Sequence, residues 1–343
     1  MRRFVLPVLL VLACGGAARP DQPVENIANV EFRLDERVFA VMCAAHAAGY
    51  DYGLTTEPAD SVRRQVLKEI AAMPVPEDLQ ARLKDFYRQR NVEMDASAQH
   101  TKYASFALLL DPPPRFTLHL GDRQPAPPVR ALIGFEEMMP AYYRAARLDQ
   151  AWARHRPAEV ALLQSFRGAI IDMVRAVLSY GRMPARLYLN RRLIVIPDIV
   201  NAPGIINAVH LEGDYYILAS PTDWSGRYMR FFIHEYLHYL LDPVMEPAAA
   251  RFNQDSGLRR LLVDQRRDAA LQDEPARAVA ESLLTAVELA VLEQLGQDPA
   301  RDRQGMIDRD SPFLPYFTVR LDEFRQGDKN LADYFAGILP RID

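Results

Sequence analysis

Cysteine is almost missing from this chain: 343 residues carry two, Cys14 and Cys43. Cys14 lies in an N-terminal segment read below as a leader, which leaves Cys43 without a partner and excludes a disulfide framework. The fold therefore has to rest on its apolar core alone. Cys43 sits in the apolar run Phe39-Ala40-Val41-Met42-Cys43-Ala44, which reads as a small buried hydrophobe rather than a nucleophile. Basic excess is also lacking. The formal charge is −4, with no basic stripe and no interleaving of aromatic and basic residues, so nothing points to a nucleic-acid partner. No internal run approaches the ~18 apolar residues that span a bilayer. Histidine is scarce, at seven residues, so any clustering of it is informative.

The first residues differ from the rest. Met1-Arg2-Arg3 is a positive start, Phe4 to Ala13 is apolar, and small residues run from Cys14 to Ala18. This is the pattern of an export signal over residues 1–18. Val11-Leu12-Ala13-Cys14 resembles a lipobox, which would make a lipidated Cys14 a membrane anchor. Gly16-Ala17-Ala18 suits an ordinary signal peptidase and free secretion instead. The expected location is outside the cytoplasm, in the periplasm, at a bacterial outer membrane or beyond.

After a short polar linker (19–30), segments 35–48, 60–72, 77–90, 97–110, 129–153 and 157–180 place apolar residues at helical spacing. Two proline clusters, 112–114 and 125–128, bracket a short extended piece, Arg115 to Gly121. The texture changes near Met183-Pro184. Stretches 185–189, 192–197 and 210–220 read as strands. A helix is predicted over 227–241, ended by Asp242-Pro243, with further helices over 258–271 and 275–296. The expected fold class is α+β and mostly helical: a helical N-terminal region (31–165), then a second domain (166–343) in which a small sheet packs on the helix of 227–241.

That helix holds His234-Glu235-Tyr236-Leu237-His238. Residues four apart lie one turn apart on one helix face, so two imidazoles can reach one tetrahedral zinc ion at about 2.0–2.1 Å. Glu235 lies between them in sequence, close to the ion without binding it, where it can accept a proton from a zinc-activated water. Apolar flanks, Phe231-Phe232-Ile233 and Tyr239-Leu240-Leu241, keep the motif inside a helix. The segment 185–290 is similar to the zincin metallopeptidases of the gluzincin type, and to uncharacterised bacterial exported zincin families. The resemblance covers about a third of the chain, and five residues carry its sharp part. It implies a zinc-water mechanism, a peptide or protein substrate lying along a strand, here Gly213 to Ser220, and a glutamate on a later helix as third ligand.

The metzincin extension is absent: Tyr239 to Val244 lacks its Gly and His, and no histidine follows His238. Glu281 is the preferred third ligand. It lies among small and apolar neighbours on the helix of 275–296, where an unpaired carboxylate would be costly. Glu288, seven residues on, is its main rival, ahead of Glu246, Glu274 and an upstream histidine. Asp242 reads as a helix-ending turn residue. Asp268 and Glu288 are candidates to orient a ligating histidine. Tyr216, Tyr316 and His210 are candidates for oxyanion stabilisation. His46, His100, His119 and His155 lack partner spacing and read as structural or exposed, and Arg259-Arg260 and Arg266-Arg267 as a solvated face. Two other functions stay open: a zinc amidase with the same site, and an exported binding or scaffold lipoprotein whose metal site is structural or silent.

Overall fold

The computed structural model describes residues 25–339 apart from 53, 55–56, 91–95, 121–124, 212, 221–225, 266, 268 and 299–310. The export and lipid-anchor expectations therefore lie outside the described residues. No helix among those described is long and apolar enough to cross a membrane.

The protein is mostly helical around one small sheet, as the sequence predicts. The sheet has β1 (Glu25–Ile27), β2 (Val30–Phe32), β3 (Leu193–Pro197), β4 (Ile205–Leu211) and β5 (Asp214–Ser220), in the order β1-β2-β3-β5-β4. β3 pairs parallel with β2 and β5, while β1 and β4 close the edges antiparallel. Both faces of the sheet are covered, which explains the unbroken apolar run of β3. Side chains alternate between faces. Leu193, Val195, Tyr215, Ile217 and Ala219 enter one core, and Ile194, Ile196, Tyr216 and Leu218 the other.

The second core is built with α1 (Glu36–Ala48), α2 (Val62–Ala71), α3 (Glu77–Arg90), α4 (Ala96–Leu108), α5 (Pro127–Arg130) and α6 (Met139–Ala145). Cys43 is buried there, and burial pushes its thiol pKa well up. The first core is built with α8 (Gly226–Gln254), α11 (Pro275–Gln294), α12 (Leu314–Gln326) and α13 (Leu331–Ile338), with α9 (Ser256–Asp264) and α10 (Ala269–Asp273) between α8 and α11. α7 (Leu148–Tyr180) serves both. Its Leu148 and Ala151 join the α1–α6 core, and Leu163, Phe166 and Ile170 the other. The expected division at 165/166 falls inside this unbroken helix, and β2 from the N-terminal part is a strand of the shared sheet.

Other departures have local causes. The break expected at 154–156 is absent. Pro157 removes a single helical hydrogen bond, and apolar packing on both sides of it carries α7 through. Residues 185–187 form a 3-10 turn rather than a strand. The strand expected over 210–220 is a hairpin of two, β4 and β5, turned through Gly213 at φ 91°, backbone space open to glycine. Part of the linker, 25–27, is β1.

The most consequential departure is that α8 does not stop at Asp242-Pro243 but continues to Gln254. Pro243 has no N–H to give the carbonyl of Tyr239. The Arg191 guanidinium donates to that carbonyl instead and lies over the Tyr239 ring. With its acceptor satisfied from outside, the helix keeps Asp242 in register with the histidines.

Candidate metal centre

α8 and α11 pack against each other, and the face of α8 turned to α11 bears a stripe at every fourth residue: Arg230, His234, His238, Asp242. The His234 and His238 rings are 4.8 Å apart between centroids. α11 answers with Glu281 and Glu288, two turns apart on one face.

The Glu281 carboxylate sits between the imidazoles. Its Oε2 is 3.2 Å from His234 Nε2, and its Oε1 is 3.7 Å from His238 Nε2. One ligand atom from each of the three residues lies within 4.8 Å of the others. The remaining ring nitrogens are held from behind. His234 Nδ1 donates to Glu288 Oε2 at 3.2 Å, and Glu288 Oε1 accepts from Arg230 Nε at 2.7 Å. His238 Nδ1 donates to Asp242 Oδ1 at 2.9 Å, and Asp242 Oδ2 accepts from Tyr215 Oη at 2.8 Å. With each Nδ1 committed to a carboxylate, both Nε2 atoms face the gap beside Glu281 and are the ones left to bind a metal there.

The electrostatics favour a cation there. Burial opposes charge on His234, but Glu281 and Glu288 outweigh it and raise the imidazole pKa to about 10. His238 is raised in the same way against its burial, mainly by Asp242. Burial works against ionisation of Glu281 and Asp242, yet His234 and His238 respectively hold both below the usual carboxylate range. Glu235 differs: burial raises its pKa despite the two neighbouring histidines. Four carboxylates, Glu235, Glu281, Glu288 and Asp242, lie about the two imidazoles, with Arg230 on Glu288 and the charge of Arg277 reaching Glu281. Two nitrogens and a carboxylate oxygen at this spacing suit zinc, whose ligands are His and Asp/Glu in such sets.

No family model matches the chain, and comparison with curated proteins and with solved structures finds no match either.

The structure thus brings together His234, His238 and Glu281, with Glu235 on the same turn of α8. Glu288 lies behind His234. Asp242, expected to end the helix, supports His238. Its sequence signal is its position four residues after His238, which the following proline obscures. Asp268 lies outside the described residues. Tyr216 projects into the core on the far face of the sheet. Tyr316 packs against Phe317, with the Arg320 guanidinium over its ring. His210 lies against Tyr215, the ring centroids 3.7 Å apart and the planes tilted by 48°. Glu274 precedes the first turn of α11 without a capping side-chain hydrogen bond, and Glu246 is exposed on α8. The other histidines are engaged elsewhere: His46 with the Val200 carbonyl, His100 with Asp198, His119 with Asp111 and His155 with Glu69. β5, expected to offer an edge to a peptide, is interior, and the edge on this side is β4.

A cleft of about 1230 Å³ runs between β4, α4, α8 and the start of α11, reaching Asp242, Tyr215 and Ala280. It ends beside the imidazoles rather than on them.

Asp242→Asn and Glu288→Gln each weaken one rear hydrogen bond while leaving all three ligands. Either is expected to lower zinc affinity about 10–100-fold, measured by competition with a chromogenic chelator.

Proposed function

We propose that the protein hydrolyses peptide bonds with zinc, which His234, His238 and Glu281 hold while Glu235 acts as general base. The observation that carries this reading is the convergence of two imidazole Nε2 atoms on one carboxylate, each ring fixed by a carboxylate behind it. When bound, the ion would supply Lewis acidity and bring the pKa of a water at the site towards neutrality.

The protein's own groups supply the rest. The Glu288 and Asp242 carboxylates keep each Nδ1 protonated, which fixes the ring orientation and the ligating nitrogen. Glu235, with its affinity for protons raised by burial, accepts a proton from water and returns it to the departing amine. Three protein ligands are the complement of catalytic zinc sites, whereas structural sites have four. That comparison favours an enzyme over a scaffold with a silent site.

The test is direct. Protein purified without added metal is expected to carry about one zinc per chain. It should cleave an unstructured protein such as casein, lose that activity to a chelator and regain it with zinc. Protein without zinc and without affinity for it would refute the proposal.

A further inference from the structure

The cleft beside the metal-ligand cluster is lined by as many cations as carboxylates among the described residues, but the two sets are not neutralised alike. The protein is formally −4, yet the cleft is lined by Lys102, Arg191 and Arg277 among its cations. Its carboxylates among the described residues are Asp214, Asp242 and Glu246. Two of these are spent: Asp214 pairs with Arg192, and Asp242 is shared by His238 and Tyr215. Glu246 alone is left over.

The cations are not neutralised in the same way. Arg191 donates to the carbonyls of Leu187 and Tyr239, so its charge meets no carboxylate. Lys102 is buried in the α4 wall, with Nζ 2.7 Å from the carbonyl oxygen of Arg90, another neutral partner. Arg277 is exposed on the α11 wall four residues before Glu281, hence one turn away on the same face. No carboxylate among the described residues pairs with its guanidinium; Glu281 feels its charge without contact. Among the described residues, Arg191 and Arg277 meet no carboxylate, and Lys102, its pKa lowered by burial, adds to them against the single unpaired Glu246, a balance that draws anions in. Of the three, Arg277 alone has its fork open to solvent, and that fork matches a carboxylate two bonds at a time.

We infer that this cleft selects acidic peptides, with Arg277 pairing with a substrate carboxylate next to the cluster and Lys102 and Arg191 supplying the surrounding positive field. The inference rests on the hydrolytic reading for its substrate class, but the binding it requires does not depend on catalysis. The carboxylate could be an acidic side chain or the C-terminus of the peptide.

The test uses the full chain and three acetylated heptapeptides of otherwise identical sequence. One has an internal Glu and a C-terminal amide. The second has Gln and a free C-terminal carboxylate. The third has Gln and an amide. Binding is measured calorimetrically on chelator-treated protein, where no cleavage intervenes. At least one carboxylate peptide is expected to bind about tenfold more tightly than the third, and which one does so identifies the source. Arg277→Gln is expected to remove that preference, and Arg277→Lys to restore part of it, with circular dichroism and zinc content unchanged. The preference should shrink with added salt. Equal or absent binding of all three peptides, or a preference that survives Arg277→Gln, overturns the inference. If zinc-loaded protein cleaves none of the peptides but the Arg277-dependent preference holds, the hydrolytic reading fails and the acidic-ligand cleft remains. If cleavage occurs with no preference, the reverse is true.

Discussion

Glu235→Gln is expected to keep its zinc and lose hydrolysis by about 10²–10⁴-fold in kcat, the usual contribution of a positioned general base. The substitution is nearly isosteric, and Glu235 is not a member of the three-residue ligand group. Metal content, thermal stability and peptide binding should therefore stay close to those of the parent. The amide cannot take up a proton, so what is lost is the step that requires one. The pKa of Glu235, raised by burial, places the carboxyl nearer the working range than a solvated glutamate. Kinetics on a quenched fluorescent peptide, with zinc quantified on the same sample, separate the possibilities. An unchanged kcat at full zinc occupancy would remove Glu235 from the mechanism. Loss of zinc together with activity would make it a ligand instead.

Glu281→Ala should have the opposite signature: the metal leaves. The two imidazoles remain on α8 with their rear carboxylates, but the atom that closes the triad across the interface is gone. Zinc affinity is expected to fall by more than the 10–100-fold assigned to a rear-carboxylate change, and activity with it at limiting zinc. Full occupancy at stoichiometric zinc would show that another residue completes the site, with Glu288, two turns further along α11, the first to examine. The fold should persist, because the α8–α11 contact is carried mainly by buried apolar residues of both helices, among them Leu237, Leu240, Leu283 and Val287. The two variants thus separate holding the ion from moving a proton, a distinction that a single loss-of-activity measurement would blur.

Local pattern was sufficient for part of this. A helix through His234 and His238 follows from apolar periodicity on either side of the motif. The four-residue spacing then puts both rings on one face without reference to any other part of the chain. Glu281 was also legible, because a carboxylate between Ala280 and Ser282 in an apolar helix needs a reason to be there. The role of Asp242 was not. Pro243 reads locally as a stop, and the signal that cancels it is Arg191, distant in sequence, whose guanidinium takes the carbonyl that the proline leaves open. Glu288 stands out in the sequence, but whether it faces the ligand gap or backs His234 does not follow from spacing, since residues seven apart share a helix face.

What the sequence determined by itself is the set of elements and the chemistry along each helix: periodicities of 3.6 and 2 are local properties, as is the choice of His and Glu as side chains. Tertiary structure decided which of these meet. It made one sheet of the 25–32 strands and the 193–220 strands, so the N-terminal helices and the metal-ligand helices cover opposite faces of a shared layer. It turned α11 so that Glu281 points between two imidazoles, and it gathered cations from α4, α11 and the loop before β3 into one trough. Such meetings depend on packing between segments far apart in the chain, and the free energy that fixes them belongs to the buried interface rather than to any single stretch of residues.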